Sequence, residues 1–411
     1  MNASPASSAW SRRALSHAAD ITNASPGRGS ATRAEAQAAE YVQRQLASLG
    51  VQDIRQQPFR GLRSIWLFFA LAFGLALAGH AAFWLLAQPA GWLTSLVVCL
   101  AVFGMSAFLL WRKLTFQDYP LRESLPHGPS QNVVAVLPPS GEIHHQVVLV
   151  AHLDSHRAVW GFASDPLLRL SLIIVPLAIY GVFIAPLLYL LADITHLPVF
   201  AYAALPLALV HFLAWFTGAT ADLGPLSPGA NDNASAVGTV LALAERLTKE
   251  PLAHTEIWLA FTGCEESGCD GMRVFLAEYG ERLKGAFFLD FELVGIGERL
   301  GYLQSEGILR RCSIPAEIEK LSQEIGQAFG GLQPLKAAAF GAFTENGLLL
   351  EKGFRSLCLM VFRKDSHLLP EWHRLTDRAD RLQASALGLA HDFAWKLIQD
   401  LDLAFTKVGA D

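Results

Sequence analysis

Apolar positions follow three different patterns along the chain. At 65–86, 92–111, 170–191 and 197–216 they run almost unbroken. Each run is long enough to cross a hydrocarbon core of about 30 Å, which takes roughly 20 helical residues. Gln88-Pro89-Ala90-Gly91 separates the first two runs, and the stretch from Asp193 to Pro198 separates the last two, so each pair predicts a tight helical hairpin. Pro176, Pro186 and Pro206 lie inside the runs, where membrane helices tolerate proline. Trp66, Trp84, Trp92, Trp111 and Trp215 lie near the run ends, where amphipathic rings favour an interface. A second pattern covers 32–49, where Ala38, Tyr41, Val42, Leu46 and Leu49 recur at helical spacing and Gly50 stops the helix. The third is a set of short apolar runs. Strands are predicted at 132–137, 146–153, 256–261, 286–294 and 356–362, and helices at 232–248, 271–279, 316–329 and 378–401. Their alternation after the second hairpin indicates an α/β domain with a mostly parallel central sheet flanked by helices.

The plan is therefore one α/β domain interrupted by two transmembrane hairpins. Residues 1–30, rich in Ala, Ser and Asn, are expected to be partly disordered. The domain begins at 31–63, continues at 112–169 and finishes at 218–411, with hairpins at 64–111 and 170–217. Composition agrees. Apolar residues make up 52% of the chain and charged ones 17%, against about 25% charged in a soluble protein. No Asp, Glu, Lys or Arg occurs from Ser64 to Trp111. A net charge of −5 offers no basic field for nucleic acid. Five cysteines, with Cys99 inside an apolar run, make no disulfide framework.

Two hairpins return the chain to its starting side of the lipid bilayer. Arg55, Arg60, Arg63, Arg112, Lys113, Arg122, Arg157 and Arg169 flank the runs on that side, and the hairpin tips carry no Lys or Arg. This bias predicts a multi-pass protein of the inner or plasma membrane with its α/β domain in the cytoplasm. His80 and His211 are the ionisable groups within the runs. They are expected to pack helices rather than mark a transport pathway.

Acidic and imidazole side chains recur at predicted strand ends, which in an α/β sheet line a crevice. Ala151-His152-Leu153-Asp154-Ser155 closes one strand, and its Asp can orient the imidazole toward a metal. Gly229-Ala230-Asn231-Asp232-Asn233-Ala234-Ser235 enters a helix, where Asn and Asp also serve as caps. Thr262-Gly263-Cys264-Glu265-Glu266 puts two carboxylates side by side, which repel unless a cation or proton intervenes. Asp290 and Glu292 fall on one face of an apolar strand, an expensive position without a partner. Trp372-His373-Arg374 precedes the last helix. Together these groups form an N/O donor set suited to zinc, with carboxylates enough for two ions.

In this order the motifs resemble the di-zinc aminopeptidase family of bacterial leucyl aminopeptidases and aminopeptidase Y. That phosphorylase/hydrolase-like zinc-exopeptidase fold is shared with glutamate carboxypeptidases and glutaminyl cyclases. The resemblance implies two Zn2+ per chain and a peptide substrate. It makes His152 and Glu292 ligands of one ion, Glu266 and His373 ligands of the other, and Asp232 the bridge. Glu265 becomes the general base and Asp154 the orienter of His152. Asp290 is the alternative to Glu292, which stands three residues before Gly295 as the family motif requires. The chain departs from the family in the spacer of about 80 residues between His152 and Asp232, and in Thr344-Glu345-Asn346 where Ser-Asp or Thr-Asp is common. The expected activity is removal of N-terminal residues. A glutaminyl cyclase-like acyltransferase, a carboxypeptidase or an inactive membrane scaffold are the alternatives, and oligomeric state is left open.

Overall fold

The computed structural model describes residues 5–336, 343–366 and 368–403. Its strands are β1 (Asp53–Leu62), β2 (His127–Leu137), β3 (His145–His152), β4 (Thr255–Thr262), β5 (Phe287–Phe291), β6 (Arg299–Glu306), β7 (Cys312–Ser313), β8 (Gln333–Lys336) and β9 (Arg355–Phe362). They form one sheet in the order β1-β2-β4-β3-β5-β9-β6-β7, with β8 beside β6. β4, β3, β5 and β9 are parallel neighbours at the centre. Antiparallel pairings attach β2 and β1 on one flank and β6 and β7 on the other. The parallel sheet expected from the alternation is thus the middle of a mixed one.

The helices of the first half are α1 (Pro5–Ala24), α2 (Arg33–Ser48), α3 (Trp66–Ala90), α4 (Trp92–Leu114), α5 (Asp165–Thr195), α6 (Pro198–Ala203) and α7 (Leu205–Ala221). Those of the second half are α8 (Ser235–Lys249), α9 (Asp270–Tyr279), α10 (Ala316–Gly326), α11 (Glu345–Glu351) and α12 (Ala384–Leu403). Strand alternation divides the core between two layers. Val147, Leu149 and Ala151 of β3 join the side built by α1, α2, α8 and α12. Val148 and Val150 join Trp258, Met272 and Phe275 on the side of α9 and α11.

Residues 5–24, expected to be partly disordered, form α1 instead, while residues 1–4 lie outside the described set. Ala14 and Ala18 of α1 are fully buried against α8. At Gly238 of α8 an added Cβ would collide with the Ala14 carbonyl oxygen, so glycine is what permits the approach. Contacts between small residues carry little hydrophobic signal, which is why the composition read as disorder.

Four spans, Trp66–Leu86, Trp92–Leu114, Asp165–Thr195 and Pro198–Ala221, are long and apolar enough to cross a membrane. The last comprises α6 and α7, broken at Ala204. α3 packs on both α4 and α7, so the two hairpins make one bundle. Phe68, Phe83, Phe103 and Tyr189 fill its interior, while Leu93, Val97, Ile173 and Leu209 are exposed on its outside. One polar chain crosses the bundle. The Tyr189 hydroxyl meets His80 Nδ1 at 2.6 Å, His80 Nε2 meets His211 Nδ1 at 3.0 Å, and His211 Nε2 meets the Ala178 carbonyl at 3.1 Å. With Tyr189 donating first, each neutral ring accepts once and donates once.

Candidate metal centre

His152 ends β3, Glu265 and Glu266 follow β4, and Glu292 follows β5. His373 lies in the loop after β9, and Asp232 occupies an irregular turn, residues 230–234, just ahead of α8. All six side chains meet beyond the carboxyl ends of the central strands. Asp232 stands in the middle. Its Oδ1 lies 3.5 Å from His152 Nε2, and its Oδ2 lies 3.2 Å from His373 Nε2. Glu292 Oε2 is 3.4 Å from His152 Nε2, and Glu266 Oε2 is 3.3 Å from His373 Nε2. Two triads, His152–Asp232–Glu292 and His373–Asp232–Glu266, therefore share one carboxylate. Glu265 lies beside the first, within ligand reach of His152 and Glu266.

Backbone strain helps aim these groups. Cys264, Leu293 and His373 adopt left-handed backbone with φ of 55°, 49° and 54°. Such conformations are costly for non-glycine residues and cluster at functional sites. Here they fall immediately before Glu265, immediately after Glu292 and at His373 itself.

A ring of buried polar groups holds the turns. The Asp154 carboxylate accepts from the Glu265 and Glu266 amides at 3.1 Å each and from Ser30 Oγ at 2.6 Å. Its main-chain carbonyl accepts from His152 Nδ1 at 3.1 Å, with its Oδ1 3.4 Å from the same nitrogen, which turns His152 Nε2 toward Asp232 and Glu292. The orienting role expected of Asp154 thus divides between its backbone and its side chain. Asn231 Oδ1 accepts from Gly295 N at 2.7 Å, and Asn233 Nδ2 donates to the Phe291 carbonyl at 2.8 Å, so the Asp232 turn grips both ends of the segment carrying Glu292. Asp377 accepts from the Asn231 and Asp232 amides at 2.7 and 3.1 Å. Wholly buried Arg28 donates to the carbonyls of Leu153, Pro228 and Gly229 at 2.9, 3.0 and 2.7 Å.

The centre is short of positive charge. Burial and the neighbouring Asp232 carboxylate raise the Glu266 carboxyl to about 7, although His373 opposes the rise. Burial alone would lower His373, but the carboxylates of Glu266 and Asp232 prevail and lift it to about 9. Burial opposes ionisation of Asp232 too, yet the imidazoles of His152 and His373 hold it below the usual carboxylate range. Glu266 Oε1 and Glu292 Oε1 are buried without hydrogen-bond partners. Orphaned carboxylate oxygens around paired imidazoles fit zinc, whose usual donors are His nitrogen and carboxylate oxygen.

Asp290 lies deeper than Glu292. Its Oδ2 accepts from the Asn346 amide at 3.2 Å, and it belongs to none of the metal-compatible clusters among the described residues. His156 went unnoticed in the sequence. Its ring stacks on His373 with centroids 3.8 Å apart, and it forms a further cluster with Glu266 and His373. The available signal was a second His four residues after His152. Glu35 of α2 was also missed. It accepts from the Cys264 amide at 2.8 Å, and burial together with the nearby Asp154 raises its carboxyl to about 8.

The helical bundle reaches this centre directly. Arg374, next to His373, donates to Asp165 at the start of α5 at 2.6 Å and to the Phe162 carbonyl at 2.8 Å. The ring of Trp66, at the start of α3, lies 5.4 Å from that of His156.

Comparison with known proteins agrees with this architecture. Residues 211–398 match the model of peptidase family M28. A probable lipoprotein aminopeptidase of Mycobacterium tuberculosis, LpqL, is 28% identical over an alignment of 200 residues that covers 42% of this chain and 39% of that protein. A zinc aminopeptidase from Bacillus subtilis superposes with a TM-score of 0.56 at 13% identity, covering 95% of each chain. The Tannerella forsythia glutaminyl cyclase gives a TM-score of 0.53 at 12% identity, covering 95% of this chain and 98% of the cyclase. These structural likenesses establish a shared α/β fold with a large sheet flanked by helices, and residues 211–398 are similar to peptidase family M28.

Proposed function

We propose that this protein is a membrane-embedded, zinc-dependent exopeptidase, acting as an aminopeptidase on peptides. The observation that carries this reading is Asp232, each of whose carboxylate oxygens faces a different imidazole, with Glu292 completing one triad and Glu266 the other. Two ions would be held by these residues, His152 and Glu292 serving one, Glu266 and His373 the other, and Asp232 common to both sets. When bound, zinc would lower the pKa of a shared water and polarise the scissile carbonyl. Glu265 takes the proton of the attacking water and returns it to the departing amine, as general base and then acid. His152 is held in one tautomer by the Asp154 carbonyl, and the Asp154 carboxylate fixes the turn that presents Glu265.

The four membrane-length helices support an integral, multi-pass protein, and the Lys and Arg flanks support a cytoplasmic α/β domain. A second reading comes from the likeness to glutaminyl cyclase structures, which would make the reaction an intramolecular acyl transfer. Zinc content decides between stoichiometries. Detergent-purified protein should hold two zinc per chain and hydrolyse aminoacyl anilides. One zinc, together with cyclisation of N-terminal glutaminyl peptides and no release of amino acids, would replace the aminopeptidase by the cyclase.

A further inference from the structure

The cavity that contains the centre does not stop at the α/β part. It has a volume of about 260 Å³ and takes in His152, Asp232, Glu265, Glu266, Glu292 and His373 at one end. At the other it passes between the membrane-length helices, lined by Phe69 and Phe73 of α3, Ala178 and Ile179 of α5, and Leu213 and Ala214 of α7. The lining of α3 extends from Trp66 to Phe73 and that of α5 from Ser171 to Ile179. At 1.5 Å per residue the apolar arm is roughly 10–12 Å deep.

Two hydroxyls border this arm, and both are engaged. Ser171 Oγ donates to the Gly161 carbonyl at 3.2 Å. Thr217 Oγ1 donates to the Leu213 carbonyl at 2.8 Å and accepts from Trp160 Nε1 at 2.9 Å. An apolar occupant therefore strips water from neither hydroxyl, while Trp66 Nε1, at the end of the arm nearest His156, is buried without a hydrogen-bond partner. Val175 lines the arm and is also 41% exposed on the apolar outside of α5, which brings the cavity to the surface that lipid would cover. A site for small soluble peptides has no use for an apolar arm built from inserted helices.

We propose that the substrates are amides with a long apolar chain on one side, the chain lying between α3, α5 and α7 while the amide meets the centre. This rests on the exopeptidase reading and names its substrate class. Water adds to the amide carbon, the C–N bond breaks, and the nitrogen leaves with a proton as an amine. The chain is either an alkyl group or a run of apolar side chains in a peptide.

The test compares leucine ethylamide with leucine dodecylamide, and leucyl-glycine with a leucyl peptide bearing six apolar residues, all in detergent with zinc-loaded protein. Burying methylenes in the arm should raise kcat/KM at least about tenfold for the long member of a pair. The dodecylamide responding alone assigns an alkyl chain, and the peptide responding as well assigns apolar sequence. Ala178→Trp and Ala214→Trp should each shrink the long-to-short ratio at least about tenfold. Equal kcat/KM for short and long members overturns the substrate class but leaves the exopeptidase standing. Turnover of neither overturns the exopeptidase. The arm is then judged by binding alone, using leucine dodecylamide with a diazirine at the chain end. Photolabelling at Phe73, Ala178 or Ile179 upholds the arm, and labelling confined to the α/β part refutes it.

Discussion

Between α3, α5 and α7, Tyr189, His80 and His211 pass hydrogen bonds in one direction to the Ala178 carbonyl. At the ends of the central strands, by contrast, four carboxylates and two imidazoles converge, and Glu266 and Glu292 keep buried oxygens without partners. Both clusters are buried and both contain histidine. The first closes on itself with neutral groups, whereas the second lacks the positive charge to balance its acids. The difference teaches how to read buried histidine. A self-satisfied chain serves architecture, and a cluster with orphaned acids calls for a cation.

Substitution of Asp232 should break this comparison most severely. Asp232→Ala removes the carboxylate common to both triads. Metal analysis should find zinc falling from two per chain to less than one, peptidase activity should drop to background, and thermal unfolding should occur at lower temperature. Bound ligand at about 100 times its Kd is worth about 2.7 kcal/mol of stability, and chelation of the parent protein should cost a comparable amount. Retention of two zinc ions by Asp232→Ala would take the bridge away from this residue.

Glu265→Gln separates chemistry from charge balance. The amide keeps the shape but cannot accept a proton, so kcat should fall about 10²–10⁴-fold with zinc content unchanged. Near-normal turnover would remove Glu265 from the mechanism. Glu292→Ala and Asp290→Ala then sharpen the outline of the centre. Glu292→Ala should release one ion, while Asp290→Ala should keep both and lose about 10–100-fold in activity or metal affinity, as supporting groups do. The opposite order would exchange the two roles.

The smallest effect is expected in the other cluster. His80→Leu removes the histidine partner of the Tyr189 hydroxyl and of His211 Nδ1, at a cost of up to about 3 kcal/mol. Interhelical hydrogen bonds in membranes average nearer 0.6 kcal/mol, which sets the lower end. Unfolding in detergent should come a few degrees earlier with zinc content unaltered. Loss of zinc in this variant would join the two clusters and defeat the distinction between them.

Much of the candidate centre was legible because its chemistry sits in short, contiguous motifs at strand ends. His152, Asp232, Glu265, Glu266, Glu292 and His373 were named from such motifs, and the folded chain gathers all six. The four apolar runs were equally legible, because composition alone marks a helix of that length. What escaped depends on partners far away in sequence. β1 was missed because Arg55, Gln56, Gln57 and Pro58 break any apolar alternation, and it holds as an edge strand paired with β2, where proline is tolerated. α1 was missed because it packs on α8 and α12 through small residues, as at the Ala14–Gly238 approach. His156 gains its meaning only by stacking on His373, more than 200 residues later. The arm of the cavity was invisible for the same reason, since no local pattern tells that inserted helices flank a crevice.

Arg28 has a consequence for how the molecule is made. Its guanidinium joins a segment translated early to Leu153, which follows the first hairpin, and to Pro228 and Gly229, which follow the second. α1 likewise leans on α8 and α12, which leave the ribosome after every membrane-length helix. α1 must therefore wait, without its packing face, until both hairpins have been made. Only then can the loop around Asp232 be clamped. The α/β part cannot mature domain by domain as translation proceeds, so synthesis of both hairpins precedes assembly of the candidate metal centre.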